Sequence, residues 1–357
     1  MKYLRLLLSP FSLVYSLVVV IRNWCFDTGI FKSRKFYIPV ISVGNLDVGG
    51  AGKSPMTEYL VRLLKPQYRL ATLSRGYGRN TKGYLVANEK SPGTIANLVG
   101  DEPAQFHQKF PDITVAVCED RVVGIKQLKV DHELIILDDA YQHRAVKAGL
   151  SLLLFDYNRI NEPHLVLPAG NLREPFSGRK RADVIIISKC PDGLSSQEQS
   201  AALGSIRPFT NQQVFFTSIA YQPLQSFNGE VIPAKLTQNT TVFLITGIAN
   251  ADPLVQHIKK TTLHIIHHKY PDHHRFSLKN IIKLADEFSE CKSADKVIIT
   301  TEKDAQRLAE HGLLAVTMDM PVSVMPISIN FLNHEQQKFD QLVIDYVRTH
   351  REHHKIH

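Results

Sequence analysis

The stretch that decides the fold is PVISVGNLDVGGAGKSPMTEYL, residues 39–60. It begins with an apolar run, continues through a glycine-dense loop and ends in an amphipathic pattern after Gly52-Lys53-Ser54. A strand, a glycine-rich loop and a helix in this order are typical of phosphate loops, whose pattern is G-x-x-x-x-G-K-[ST]. Asp47 stands where the first glycine belongs. The stretch therefore predicts a phosphate loop with one altered position. The alternative is a chance glycine cluster.

A phosphate loop works because its backbone N–H groups and the following helix N-terminus point at the anion. The lysine reaches the β- and γ-phosphates, and the next hydroxyl ligates Mg²⁺. Asp47 tolerates a left-handed backbone, but its carboxylate would repel a phosphate unless it pointed outward. The predicted nucleotide contacts are Gly49, Gly50, Ala51, Gly52, Lys53 and Ser54.

A second motif supports this reading. ELIILDDAYQHR, residues 133–144, is an apolar strand that ends in Asp138-Asp139. This is the form of a Walker B element, whose carboxylate holds the Mg²⁺ of a phosphate-loop enzyme. Taken alone, the motif could equally be a buried strand with an acidic exit turn. Beside a phosphate loop, it predicts a metal site formed by Ser54 with Asp138 or Asp139.

Apolar strand-like runs alternate with helix-like runs from about residue 37, which predicts an α/β fold with a parallel sheet covered on both faces. We expect a P-loop NTPase-like domain over residues 37–216 and a second, smaller α/β domain over 241–332. Alternating residues around Asn228-Gly229 predict a two-stranded β connector over 217–240. A C-terminal helix, 333–357, is expected to have one apolar face and could pack back on the first domain.

The composition is that of an ordinary globular protein, with 357 residues, 44% hydrophobic and 21% charged. The net charge of +8 suits a nucleic acid, an anionic membrane or a phosphorylated substrate, and it does not choose among them. The four cysteines form no C-x-x-C pair, which favours a reducing cytoplasm over a disulfide framework.

Residues 1–36 depart from this composition, because LLLSPFSLVYSLVVVI (6–21) is strongly apolar. The run is shorter than the roughly 20 residues of a spanning helix. No small-residue cleavage site follows it, so it is not read as a secretory signal. We expect a helix lying in the membrane interface; a buried core helix and a single span are the alternatives. The residues expected at headgroup level are Arg22, Trp24, Lys32, Arg34 and Lys35.

Seven motifs in order give the chain a family resemblance. They are SVGNLDVGGAGKSP (42–55), LSRGYGR (73–79), VGDEP (99–103), EDR (119–121), LDDAYQHR (137–144), LPAGNLREP (167–175) and YPDHHRF (270–276). Together they resemble the tetraacyldisaccharide 4′-kinase family of lipid A biosynthesis over essentially the whole chain. In that family a non-glycine residue, often Ser or Thr, is usual at the Asp47 position.

The resemblance implies transfer of the γ-phosphate of ATP, with Mg²⁺, to the 4′-hydroxyl of a lipid disaccharide 1-phosphate. It places the protein at the cytoplasmic face of the bacterial inner membrane, as a peripheral or monotopic protein. It implies no nucleic-acid partner, and no obligate protein partner is evident. Two other readings stay open: a phosphate-loop kinase of a soluble metabolite, and a membrane-recruited nucleotide switch. A guanine switch would need N-K-x-D, but TTEKDAQ (300–306) has Glu302 in place of the asparagine.

The resemblance also implies site roles. Asp101 looks like the base, working with His273 from the second domain, and Lys53 completes the catalytic set. From spacing alone, Asp101 could equally cap a helix N-terminus. Residues expected to line the acceptor cleft are Arg75, Tyr77, Glu102, Arg121, Gln142, His143, Arg173 and Glu174, with Glu102 also a possible metal or hydrogen-bonding group.

Overall fold

The computed structural model describes residues 5–88, 92–227, 229–232, 236–272, 274–309, 313 and 320–355. Two sheets organise these residues. The large sheet has nine strands and the small sheet has four. Neighbouring strands are parallel except in two pairs of the large sheet. The predicted α/β class is confirmed.

Strands of the large sheet are mostly buried on both faces, as their near-continuous apolar runs require. Their bounds are β1 Val40–Asn45, β2 Leu70–Ser74, β3 Leu85–Val86, β4 Thr114–Val117, β5 Leu134–Asp138, β6 Leu150–Asp156, β7 Val184–Ser188, β8 Gln213–Tyr221 and β13 Ile327–Phe331. The small sheet consists of β9 Thr241–Thr246, β10 Ile265–Lys269, β11 Lys296–Thr301 and β12 Val322–Met325. The strand order is β13-β8-β7-β6-β1-β5-β2-β4-β3 in the large sheet and β10-β9-β11-β12 in the small sheet. The antiparallel pairs are β13–β8 and β3–β4.

The helices lie between these strands and cover the sheets. Their bounds are α1 Ser9–Asp27, α2 Lys53–Leu64, α3 Pro92–Val99, α4 Asp101–Lys109, α5 Arg121–Leu128, α6 Ser196–Ile206, α7 Asp252–Lys259, α8 Leu278–Glu290, α9 Glu302–Leu308 and α10 Gln336–Lys355. Short 3₁₀ turns lie at Tyr157–Arg159, Phe176–Arg181 and Leu332–His334.

Strand β1 lies at the point where the strand order of the large sheet reverses. It pairs with β5 on one side and β6 on the other. The chain runs from β1 out to β2 and returns through β5, whereas β6 begins the opposite half. In open α/β sheets, ligands bind at the carboxyl ends of the strands at such a switch point. The loop after β1 therefore lies where a ligand is expected.

Part of the predicted connector between the two sheets belongs to the large sheet itself. Thr217–Tyr221, the start of the predicted connector, belong to β8 and pair antiparallel with β13, which follows the small sheet. Beyond β8, Gln225 and Val231 form an antiparallel bridge, while Asn228, around which the hairpin is predicted, lies outside the described residues. The C-terminal helix α10 packs on the core of the large sheet through the fully buried Phe339, Val343 and Val347.

Helix α1 is held by its polar side chains and presents its apolar ones outward. Ser12 Oγ accepts a hydrogen bond of 2.8 Å from the Ala169 amide, and Tyr15 Oη donates one of 2.8 Å to the Arg173 carbonyl. Large apolar residues stay exposed, for example Leu13 at 73%. Since 11% of an 18-residue apolar stretch of this helix is buried, the alternative of a buried core helix is wrong. By its length and composition alone, the helix is also long and apolar enough to cross a membrane.

Arg22 makes a contact with the protein that the sequence did not predict. Its guanidinium donates a hydrogen bond of 2.6 Å to the Gln142 carbonyl. Its place at headgroup level stays a prediction. Trp24, Lys32, Arg34 and Lys35 are exposed.

Candidate active site

The loop after β1 has the backbone of a phosphate loop. Gly49 and Gly52 take left-handed φ values of 114° and 84°, which glycine adopts at no steric cost. Gly52 caps α2, so the helix N-terminus faces the loop interior. Lys53 Nζ folds over the loop, 3.2 Å from Asn45 Oδ1 and 3.4 Å from the Gly49 carbonyl. The backbone of this loop and the Lys53 ammonium group beside it therefore suit the binding of an anion.

Asp47 is part of a strap that ties the loop to the LPAGNLREP segment. It pairs with Leu172 in an antiparallel bridge, and the neighbouring Val48 amide donates to the Asn171 carbonyl at 2.8 Å. Burial raises the pKa of the Asp47 carboxyl, and the nearby charge of Arg159 opposes the rise. Asp47 is therefore a structural position of the turn, with its carboxyl near the segment that follows β6.

Two adjacent carboxylates end β5 and have different surroundings. Asp138 is buried and accepts a hydrogen bond of 3.2 Å from Thr57 Oγ1. Asp139 has a left-handed φ of 47° and turns to Arg173, whose Nη1 lies 2.9 and 3.0 Å from its two oxygens. Lys53 Nζ lies 3.8 Å from Asp139 Oδ1. The Walker B pair thus meets the phosphate loop, as the motif predicts.

Helix α4 brings a third and a fourth carboxylate to the same place. Ser54 Oγ donates to Glu102 Oε1 at 3.3 Å, and Lys303 Nζ donates to the same oxygen at 2.7 Å. Asp101 Oδ2 accepts from Arg307 Nε at 3.3 Å. The cap position of α4 is Gly100, and Asp101 is the first helical residue, so the alternative role of Asp101 as N-cap is wrong.

The charges in this cluster act strongly on one another. Burial raises the pKa of Asp138 to about 7, and the adjacent Glu102 and Asp139 charges add to the rise. Burial acts to raise the pKa of Glu102 as well, but attraction to Lys303 and Lys53 outweighs it, and the net pKa is lowered. Carboxylate and hydroxyl oxygens are the donors that Mg²⁺ takes. Among the residues that the structure describes, however, no three acidic, histidine or cysteine side chains are arranged to hold a metal ion, and Glu102 and Asp139 pair with Lys303 and Arg173 instead.

The predicted acceptor residues divide into surface and buried groups. Tyr77 and Arg75 are exposed at the edge of the cleft. Arg121 is buried, with its guanidinium donating to the carbonyls of Glu119 at 3.1 Å and Asp139 at 3.3 Å. Burial lowers the pKa of Arg121, and the neighbouring positive charge of Arg75 lowers it further.

Three more of the predicted acceptor residues are half-buried or buried: Gln142, His143 and Glu174. Gln142 Nε2 donates to the Asn45 carbonyl at 2.8 Å and to Glu174 Oε1 at 3.2 Å. Glu174 is 2% exposed and accepts from Arg181 at 2.8 Å. Burial lowers the pKa of His143, and the Arg121 charge lowers it further. Glu174 therefore lies beneath the cleft surface and supports the residues that line it.

His273 lies outside the residues that the structure describes. On the chain before and after it, the Pro271 carbonyl and His274 Cβ would both contact a Cβ placed on Gly247. The Gly247 carbonyl accepts from Arg307 Nη1 at 3.0 Å, and the same guanidinium reaches Asp101. Arg307 thus links the Gly247 backbone, which follows β9 of the small sheet, to Asp101.

Several residues of the site escaped the sequence-based prediction. Lys303 and Arg307 come from TTEKDAQRL, the segment that is compared above with the N-K-x-D element of guanine switches. No spacing in the sequence links either residue to the GDEP motif. Ser188, at the end of β7, donates to the Ala51 carbonyl at 2.8 Å. The one signal available for Ser188 was its position after an apolar strand, since parallel strands end at one edge of a sheet.

Comparison with known proteins extends these observations. The family model for tetraacyldisaccharide-1-P 4′-kinase matches residues 4–348. The tetraacyldisaccharide 4′-kinase of Bacteroides thetaiotaomicron is 42% identical over 355 residues, covering 96% of this chain and 93% of that protein. The enzyme of the same name from Flavobacterium johnsoniae is 42% identical over 355 residues, covering 99% and 100%. The "apo" form of LpxK from Aquifex aeolicus, crystallised with ATP, aligns with a TM-score of 0.74 at 28% identity, covering 96% of this chain and 99% of that one.

Proposed function

The chain belongs to the tetraacyldisaccharide-1-P 4′-kinase family and is an ATP-dependent kinase of a lipid A precursor, and from this premise we propose how its residues carry out the transfer. The acceptor is the 4′-hydroxyl of a tetraacyldisaccharide 1-phosphate. The observation that carries the proposal is the meeting of Ser54 and Glu102, at 3.3 Å, which joins the phosphate loop to the helix that begins with Asp101.

The phosphate loop holds the triphosphate. The amides of Gly49–Gly52 bind its oxygens, and Lys53 leaves its loop contacts to bind the β- and γ-phosphates. Ser54, Asp138 and Asp139, with Glu102 beside them, would hold Mg²⁺, which when bound supplies positive charge to the phosphate oxygens.

Asp101 accepts the proton of the 4′-hydroxyl as the hydroxyl oxygen attacks the γ-phosphorus. The bond from that phosphorus to the β–γ bridging oxygen breaks, and ADP leaves with the electron pair. We assign His273 as the partner of Asp101 on the basis of the YPDHHRF motif. An imidazole beside a carboxylate can relay the proton onward and make a weak base more effective.

The acceptor lies across the arginine-lined side of the cleft. Arg75, Arg121 and Arg173 bring planar guanidinium groups that suit phosphate recognition, and the acceptor carries a 1-phosphate. Tyr77, Gln142 and His143 line the sugar site. Glu174 acts from below by fixing Gln142 and Arg181.

The exposed apolar side chains of helix α1 support a location of the protein at a lipid surface. These side chains face outward while Ser12 and Tyr15 bind the LPAGNLREP segment, which also straps the phosphate loop. We propose that the helix lies on the cytoplasmic face of the inner membrane, where a lipid acceptor and cytosolic ATP are both available.

Transfer of ³²P from γ-labelled ATP to tetraacyldisaccharide 1-phosphate tests the proposal. We expect labelled lipid with the intact chain, and a loss of about 100-fold or more in Lys53→Met, since Lys53 neutralises charge in the transition state. Lys65→Met, a surface lysine paired with Asp112, is the matched control and should stay within about twofold. Release of inorganic phosphate without labelled lipid would contradict the proposed acceptor.

A further inference from the structure

The TTEKDAQ motif, residues 300–306, contributes side chains to the transfer site although it belongs to the small sheet. It spans the end of β11 and the start of α9, and α9 packs against α4. Glu302 pairs with Lys109 of α4, and Lys303 pairs with Glu102. Two charged residues of the motif therefore pair with α4, the helix that begins at Asp101.

Lys303 and Ser54 contact the same oxygen atom. Lys303 Nζ lies 2.7 Å and Ser54 Oγ 3.3 Å from Glu102 Oε1, so the two groups are separated by no more than the sum of these distances. Ser54 directly follows the phosphate-loop lysine. The ammonium group of Lys303 thus lies close to the hydroxyl of Ser54, the residue that follows Lys53.

The backbone next to Lys303 is held in place by hydrogen bonds of the neighbouring residue, Asp304. Asp304 is fully buried and accepts hydrogen bonds from the Gly247 amide at 3.0 Å and from Thr301 Oγ1 at 2.8 Å. Arg307 Nη1 pairs with Asp304 at 3.0 Å and reaches Asp101 through Nε. The Lys303 side chain, in contrast, is 40% exposed, so it can change partner without disturbing this frame.

The electrostatics of the pair favour such a change. The Lys303 side chain pairs with the Glu102 carboxylate, and a lysine is a cation at neutral pH. The hydrogen bond to Glu102 uses one of three ammonium N–H donors. A triphosphate held by the loop would bring several negative oxygens to the same place.

We propose that Lys303 is a phosphate-binding residue that contacts the γ-phosphate of ATP, supplied by the small-sheet half of the molecule to the loop of the large-sheet half. This rests on the proposed binding of ATP at the phosphate loop. During transfer, negative charge spreads over the three equatorial oxygens of the γ-phosphoryl group, and a second cation besides Lys53 stabilises it.

The affinities of two nucleotides, measured calorimetrically without lipid, test the proposal. The non-hydrolysable β,γ-imido analogue of ATP carries a γ-phosphate and ADP does not. In Lys303→Met we expect the affinity for the analogue to fall about 10- to 100-fold, as for a lost charge-assisted hydrogen bond, while the ADP affinity changes less than about twofold. Lys303→Arg should restore most of the difference.

Lys109→Met is the matched control, because Lys109 crosses the same interface to Glu302 and also holds Glu58 at 2.7 Å. It should leave the ratio of the two affinities unchanged. Equal losses for both nucleotides in Lys303→Met, or no loss, would overturn the proposal. The same ratio is measured in Lys303→Gln, so that a folding defect of the Met variant does not decide the outcome.

Lys53→Met separates this proposal from the site on which it rests. We expect it to weaken both nucleotides, because Lys53 serves the β- as well as the γ-phosphate. If Lys53→Met weakens both and Lys303→Met weakens neither, the loop assignment stands and the Lys303 assignment falls. If Lys53→Met leaves both affinities unchanged, the loop assignment itself falls.

Discussion

Tyr15 Oη donates a hydrogen bond of 2.8 Å to the main-chain oxygen of Arg173, and this contact joins the apolar N-terminal helix to the catalytic cleft. The guanidinium of Arg173 in turn pairs with Asp139 at 2.9 Å. The helix that we place at the membrane therefore touches a residue whose side chain reaches the acidic cluster. The position of helix α1 is thus linked, through Arg173, to the arrangement of the residues around Asp139.

Removal of the Tyr15 hydroxyl should weaken this connection. In Tyr15→Phe we expect the free energy of unfolding to fall by about 1 kcal/mol, the usual net value of one hydrogen bond. Urea denaturation of the purified protein measures it. Tyr37→Phe, at an exposed tyrosine, is the control and should be nearly neutral. Equal stability of Tyr15→Phe and the parent protein would show that the contact contributes nothing.

The apolar face of α1 should govern membrane binding without supporting the fold. Leu13→Glu, at a side chain that is 73% exposed, should lower binding to anionic phospholipid vesicles by about tenfold or more, since burying a leucine is worth roughly 1.5–3 kcal/mol. Its melting temperature should not change appreciably. Val130→Glu, 76% exposed elsewhere on the surface, is the matched control and should bind vesicles normally. Sedimentation with vesicles reads both, and equal binding of the two variants would contradict the membrane placement.

The charge at Asp47 should be a cost to the folded protein at neutral pH. Burial raises its pKa in the folded state, so the carboxyl favours folding when protonated, and this contribution is lost as the pH rises from the unfolded pKa through the folded one. We expect Asp47→Asn to be at least as stable as the parent at pH 7. Its advantage should shrink below about pH 4, where the parent carboxyl is protonated in both states.

The control for this prediction is Asp112→Asn, whose carboxyl is exposed and has its pKa lowered by a hydrogen bond from Lys65. The sign reverses there, because a lowered pKa makes the ionised form the stabilising one above the unfolded pKa. Asp112→Asn should therefore be no more stable than the parent at pH 7. Thermal unfolding across pH 3–8 measures both variants. A marked loss of stability in Asp47→Asn at pH 7 would contradict the account of this turn.

Glu174 should behave as a buried structural residue. Glu174→Ala leaves the Arg181 guanidinium buried without its partner at 2.8 Å, and such a loss destabilises by about 3–5 kcal/mol. Glu162→Ala, which removes a half-exposed partner of Arg159, should cost less than about 1 kcal/mol. Chemical denaturation distinguishes them. A Glu174 variant of full stability with only a raised KM for the lipid would instead place its carboxylate on the acceptor.

Local sequence patterns predicted the parts of the site that are built from neighbouring residues. The strand, loop and helix around Lys53 and the acidic end of β5 follow from periodicity and from glycine and lysine chemistry. The ion pair between Lys303 and Glu102 joins residues 201 positions apart, and no periodicity encodes such a contact. The hydrogen bond from Arg22 to Gln142 could not be predicted for the same reason, because the two residues lie 120 positions apart.

The central claim is that Asp101 takes the acceptor proton while the phosphate loop binds ATP, and single-turnover transfer from labelled ATP to tetraacyldisaccharide 1-phosphate tests it most directly. In Asp101→Asn we predict a transfer rate at least about 100-fold lower, with ATP affinity within about threefold of the parent value. The control Asp112→Asn should match the parent in both. Transfer at the parent rate in Asp101→Asn, or a parallel loss of ATP affinity, would contradict the claim.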